Sequence, residues 1–128
     1  MDELHQGSRR MPESAEKYEG GMLNFPSIYG AGESIRMMLE IGPDRVEQRV
    51  LELAGMVADI LRRSGASIMN DQTHIVAAHW PDRDASEIAK KLQEQRIIVA
   101  ARHGNLRVSP HFYNNEEDLE RLRLALMP

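Results

Sequence analysis

The spacing of hydrophobic positions changes several times along this chain, and each change marks an element. From Ser27 to about Glu40, Ile28, Ala31, Ile35 and Met38 or Leu39 recur at helical intervals, and Ser27 is the expected cap. Gly30 and Gly32 fall inside that helix, where each costs about 1 kcal/mol relative to Ala. They make sense if another backbone packs close to that face. "EIGPDR" is a stop and a restart: Gly42 suits a C-terminal cap and Pro43 the first turn of the next helix. That helix should run from Asp44 to about Arg63, burying Val46, Val50, Leu53, Val57 and Ile60, and end at Ser64-Gly65.

The period then shortens. Ala66–Met69 reads as a short strand and Thr73–Trp80 as a stronger one. Asp84 caps a helix, with Glu87 three residues on, and Ile88, Ala89 and Leu92 form its apolar face. "RIIVAAR", Arg96 to Arg102, is almost continuously apolar and is expected to be a central strand. His103-Gly104-Asn105 turns the chain, and Leu106–Ser109 returns as a strand. Asn115 opens the last helix, with Glu116, Glu117 and Asp118 at the positive end of its dipole and Leu119, Leu122 and Leu126 inward. Two helices followed by β-β-α-β-β-α predict an α+β fold. Its sheet is mostly antiparallel, of three to four strands, with helices packed on one face. Residues 1–17 are polar and aperiodic and read as a flexible arm. Residues 18–42 read as a junction segment with an interface helix, and 43–128 as the α+β domain.

Composition narrows the function classes. The chain has 128 residues, enough for one buried core, and a formal net charge of -4, which argues against a nucleic-acid partner. There is no cysteine, hence no disulfide and no thiolate nucleophile or ligand. No apolar run approaches the roughly 18 residues of a membrane span, and the N-terminus lacks a signal-peptide core. A soluble, cytoplasmic protein is expected. The only lysines are Lys17, Lys90 and Lys91.

Few residues suggest chemistry. His74 and His79 are an odd number of positions apart, so on one strand they face opposite ways, and no metal-ligand spacing occurs. No metal site and no catalytic residue is expected. The glycines of "EGGMLN" are compatible with a backbone that approaches an anion closely, or with a simple tight turn. In "LRVSPHFYNNEED", Leu106 and Val108 share one strand face and Arg107 and Ser109 the other. Arg107 reads either as a solvated charge or, with Arg102 across the same tight turn, as half of a pair suited to a small carboxylate.

Two stretches carry a resemblance. "YEGGMLNFPSIYGAGESIRMMLEIG" resembles the junction segment of class V aminotransferases. These are fold-type-I pyridoxal-phosphate enzymes that include cysteine desulfurases, selenocysteine lyases and isopenicillin-epimerase-like proteins. "RIIVAARHGNLRVSPHFYNNEEDLERL" resembles their C-terminal signature, an R-x-G turn followed by L-R-V-S and Y-N-T before an acidic helix start. Together they run from about Tyr18 to Leu126, nearly the whole chain.

The resemblance implies roles. Arg107 matches the arginine that holds the substrate carboxylate, and Arg102 and His103 match a turn near the substrate entrance. Gly21 and Met22 match the Gly-Thr pair that reaches the cofactor phosphate of the neighbouring subunit, though a thioether cannot donate the threonine's hydrogen bond. Asn24 matches the segment's asparagine, which serves the turn. The family's large domain, with its Schiff-base lysine, has no counterpart in this chain. The resemblance therefore implies a C-terminal small domain that binds substrate carboxylate and closes an active site, with pyridoxal phosphate a cofactor of full-length members. This chain alone is expected to bind no cofactor and to be inactive, and to partner a large domain or a second copy through the 27–40 helix. The other reading is an independent small-ligand-binding or oligomerisation module.

Overall fold

A computed structural model of the chain describes residues 13, 14, 18, 21 and 23–127. The chain divides into two compact units, Met1–Met37 and Met38–Pro128. The first holds most of α1 (Phe25–Ile41), a helix with no buried residue. The Ser27 backbone N–H donates to Asn24 Oδ1 at 3.2 Å, so Asn24, not Ser27, caps this helix. A Cβ at Gly30 or Gly32 would meet nothing within 4 Å. Ile28, Tyr29, Ile35, Met37 and Leu39 all stay exposed.

In the second unit, Gly42 takes φ 96° after α1, and Pro43 opens α2 (Pro43–Arg63). α2 buries Val46, Val50, Leu53, Ala54, Val57, Ala58 and Leu61. The stripe thus turns onto Leu61, which is fully buried, while Ile60 is only half-buried. Gly65, at φ 89°, ends the helix, with the Ala66 N–H bonding back to the Leu61 carbonyl at 3.1 Å.

Four strands follow: β1 (Ser67–Asn70), β2 (Val76–His79), β3 (Ala100–Arg102) and β4 (Asn105–Val108). They form one sheet in the order β1-β2-β4-β3, every neighbouring pair antiparallel. The expected strand from Thr73 shortens to Val76, because Thr73 Oγ1 accepts the Ile75 N–H at 3.2 Å and holds those residues in a turn. α3 (Ala85–Glu94) connects β2 to β3, and β4 inserts between them, a split β-α-β arrangement. Asp84 caps α3, accepting the Ser86 and Glu87 N–H groups at 2.6 and 3.2 Å. The expectation of a central strand at 96–102 is corrected: β3 is an edge strand of three residues. Its run alternates after all, with Ile97, Val99 and Ala101 packed on the core and Ile98, Ala100 and Arg102 exposed.

α4 (Glu116–Leu126) closes the unit, starting in a reciprocal capping box between Asn115 and Asp118. α2, α3 and α4 cover one face of the sheet. There Val76, Ala78 and Leu106, all fully buried, meet Leu53, Leu61, Leu92, Leu122 and Leu126. Buried aliphatic side chains of this kind contribute about 1.5–3 kcal/mol each. Trp80, also buried, donates its indole N–H to the Ser64 carbonyl at 3.0 Å and ties the end of β2 to the end of α2. This is the expected α+β fold. Among the described residues, no helix is long and apolar enough to cross a membrane.

Candidate functional site

The side chains facing away from the core set the chemistry of the other sheet face. By strand parity these include Ala77 and His79 of β2, Arg107 and Asn105 of β4, and Ala100 and Arg102 of β3. Arg107 lies opposite Ala77 on one side and Ala100 on the other. Two methyl groups therefore flank it, and neither can hydrogen-bond or cover the guanidinium. Arg107 is half-buried, and among the described residues it forms no ion pair. Arg102 lies opposite Asn105, one diagonal step from Arg107 on the same face, and it too lacks an ion pair. The structure thus brings the two arginines together. Both line a shallow depression of about 270 Å³, with Ile98, Val99, Ala100 and Ser109.

The turn between them is tightly specified. His103 at φ 51° and Gly104 at φ 75° give the two left-handed residues that a two-residue antiparallel hairpin requires. The Asn105 side-chain amide donates to the His103 carbonyl at 3.2 Å. His79 reaches across from β2, with Nδ1 3.1 Å from the Gly104 carbonyl oxygen. A carbonyl only accepts, so Nδ1 carries the proton. His103 itself is exposed at the tip and does not line the depression. His79 is the contributor that sequence reading missed. Strand parity gave its face, but its link to Gly104 depends on β4 pairing with β2, which no local pattern reveals.

The far end of β4 is held as firmly. Asn114 Oδ1 accepts the His111 N–H at 2.9 Å, and the Asn114 amide donates to Asp118 Oδ2 at 3.1 Å. That amide, with the Asn115 N–H, keeps the Asp118 carboxyl below the usual carboxylate range. Arg49 on α2 does the same for Glu116 through a 2.8 Å hydrogen bond. The His111 ring stacks on Tyr113 at 5.0 Å, and its buried Nδ1 has no hydrogen-bond partner among the described residues. His111 and His74 line a separate, mostly apolar cavity of about 500 Å³, with Met38, Val46, Val50 and Leu51. Among the described residues, no cluster of His, Cys, Asp or Glu is placed to hold a metal ion.

Gly21, in the first unit, has φ 108° and open space where a Cβ would stand. Met22 and Lys17 lie outside the described residues. Lys90 and Lys91 are exposed on α3, a helix that packs on the covered face of the sheet, opposite to the one Arg107 occupies.

The class V aminotransferase family model matches residues 2–122. The chain is 27% identical over 107 residues to an uncharacterized aminotransferase of Bacillus subtilis, covering 82% of this chain and 29% of the relative. It is 30% identical over 124 residues to a probable cysteine desulfurase of Pseudomonas aeruginosa, covering 85% and 31%. The chain therefore spans about a third of the length of these curated relatives. Among solved structures, the apo cysteine desulfurase of Thermococcus onnurineus shares the fold, with a TM-score of 0.77 at 22% identity over 91% of this chain and 34% of that one. A NifS-like protein matches with a TM-score of 0.75 at 19% identity, covering 97% of this chain and 39% of its own.

Proposed function

Because the chain belongs to the class V aminotransferase family, we propose that it is the C-terminal part of a pyridoxal-phosphate-dependent enzyme acting on an amino acid. In this reading Arg107 grips the substrate carboxylate, and residues 43–128 close over the active site. In the same reading residues 18–42 form the junction, while the arm expected over residues 1–17 lies, apart from residues 13 and 14, outside the described residues. The carrying observation is the state of Arg107: half-buried, flanked by Ala77 and Ala100, and without an ion pair among the described residues, on a sheet face whose strands carry no carboxylate. A guanidinium held this way presents its planar fork to a carboxylate and makes two parallel charge-assisted hydrogen bonds. His79 positions the hairpin end beside it through Gly104.

The cofactor does not fit the described residues. Pyridoxal phosphate needs a lysine amine for its aldehyde, and when bound it withdraws electrons from the substrate carbon. Lys90 and Lys91 stand on the wrong side of the sheet from Arg107 to supply that amine. The role assigned to this chain is therefore to bind and orient an acid and to exclude water, and we expect no turnover from it alone. The amine would come from the part of the relatives that this chain does not span. A chain without cysteine suits a reducing cytoplasm.

The exposed apolar residues of α1 are proposed to meet that large domain or a second copy, which light scattering across a concentration series reads. The closed core between α2, α3, α4 and the sheet favours a second reading, a free-standing acid-binding module. Both readings share one test. In a nuclear magnetic resonance titration, an amino acid should shift the amides of Ala77, Ala100 and Arg107, and its methyl ester should not. Equal shifts from acid and ester sink the carboxylate role.

A further inference from the structure

We propose that the outer edge of β3 accepts an added strand, an extended segment of another polypeptide that carries an apolar side chain and flanking acids. The inference lies outside the clamp reading and does not depend on Arg107. Arg102 and Asn105 close a two-residue hairpin, so they exchange both backbone hydrogen bonds, and Ala100 and Arg107 do the same two positions on. The N–H and C=O groups of Ala101 and Val99 therefore point away from β4, to a side where the sheet has no further strand. Among the described residues, no backbone hydrogen bond reaches any of the four.

The two edges of the sheet are guarded differently. Edge strands avoid stray pairing through bulges, prolines and charges. β1, at the other edge, shifts register between Ile68 and Asn70. β3 keeps an unbroken register with β4, and from Ile97 to Ala101 it has neither charge nor proline. Ile98 is 79% exposed there. Such an edge is a template for strand addition, in which main-chain bonds give affinity and side-chain pockets give specificity.

The neighbours of this edge set the chemistry of its occupant. A cavity of about 170 Å³ opens at the start of β3, lined by Ile97, Val99, Leu119 and Leu122, and suits one aliphatic side chain. Arg96 and Arg121 line it too, and neither forms an ion pair among the described residues. Arg121 is held beside the edge by its hydrogen bond to the Gln95 carbonyl at 3.2 Å. Asp118, the one carboxylate of the lining, is taken up at the start of α4, where it accepts the Asn114 amide at 3.1 Å and the Asn115 N–H at 3.3 Å. The two guanidinium groups therefore favour an acidic flank on the incoming strand. A second copy would bring the wrong charge, because its own edge runs from Arg96 to Arg102 without a carboxylate.

The probes are the synthetic peptide Glu-Val-Thr-Leu-Thr-Val-Glu and its counterpart with lysine at both ends, each added to the isotope-labelled full chain. The acidic peptide should slow amide hydrogen exchange at Val99 and Ala101 severalfold and leave Leu106 unchanged. At low salt it should bind about fivefold more tightly than the lysine peptide, the size of a few exposed charge contacts. Arg96→Glu combined with Arg121→Glu should reverse that order. Ala101→Pro removes an outward donor and none of the β4 ladder, a change that edge strands tolerate, and should abolish binding of both peptides. Neither peptide slowing these amides, equal binding of the two, or an order that the double charge reversal leaves intact would overturn the proposal. Exchange at Val99 and Ala101 that slows with protein concentration alone would assign the edge to a second copy and overturn it as well.

Discussion

Arg107 stands directly across from Ala77 in the β2–β4 register. The methyl group leaves the guanidinium free, so the residue at position 77 controls what the arginine can hold. Ala77→Glu places a carboxylate opposite it. An exposed cross-strand pair of opposite charge stabilises by roughly 0.2–1 kcal/mol, so urea unfolding should move little. Carboxylate binding should disappear. A variant that binds amino acids as the wild type does would mean that Arg107 is not the ligand.

Trp80 couples the sheet to α2 through one bond, from its indole N–H to the Ser64 carbonyl at 3.0 Å. Trp80→Phe keeps most of the buried ring and removes the donor. The cost should be about 1 kcal/mol in chemical denaturation, with the fold retained by circular dichroism. Trp80→Ala also opens a cavity and should cost about 3–5 kcal/mol.

Arg96 ends α3 at φ 62°, with its N–H on the Gln93 carbonyl and the Ile97 N–H on the Leu92 carbonyl, both at 2.9 Å. Side chains resist that left-handed conformation by about 1–2 kcal/mol, and glycine does not. Arg96→Gly should raise stability by about 1 kcal/mol after the entropy of a freer unfolded chain is subtracted. Differential scanning calorimetry reads it as a higher Tm.

The sequence carried most of this fold because helix stripes and caps are local. Leu119, Leu122 and Leu126 all turned out buried, and Asn115 caps their helix. Asp84 also caps its helix through its carboxylate, and Gly42 follows α1 at the positive φ that its missing side chain permits. The failures involve competition or pairing at a distance. Asn24 outcompetes Ser27 for the α1 cap because its amide oxygen reaches the Ser27 N–H. β3 read as central because Ile97, Ile98, Val99, Ala100 and Ala101 are all apolar. Only the pairing of β4 with β2 shows it to be an edge. For the same reason parity placed Arg107 on the open face, yet its alanine neighbours and the His79 contact could not be read locally.

Acid should unfold the protein through its helix starts. The folded-state pKa values of Asp84, Glu116 and Asp118 are lowered, by backbone N–H groups of Ser86 and Glu87, by Arg49, and by the Asn114 side chain with the Asn115 N–H, respectively. A depressed folded pKa contributes stability that is complete above the unfolded value and lost as pH falls through the folded one. Stability should therefore be level near neutrality and decline from an ordinary carboxylate pKa of about 4 downward. Asp118→Asn should make that decline shallower, since one of the lowered groups no longer titrates. A steeper or unchanged decline in urea midpoints across this range would contradict the assignment.

The most direct measurement is the affinity of the wild type, Arg107→Lys and Arg107→Gln for one amino acid, L-alanine, at low ionic strength. A guanidinium clamp predicts an ordered series. Wild type should bind best, Lys several-fold weaker because a point charge replaces a planar fork, and Gln not measurably, with all three equally folded. Equal affinity in the three proteins would contradict the account and return Arg107 to the status of a surface charge.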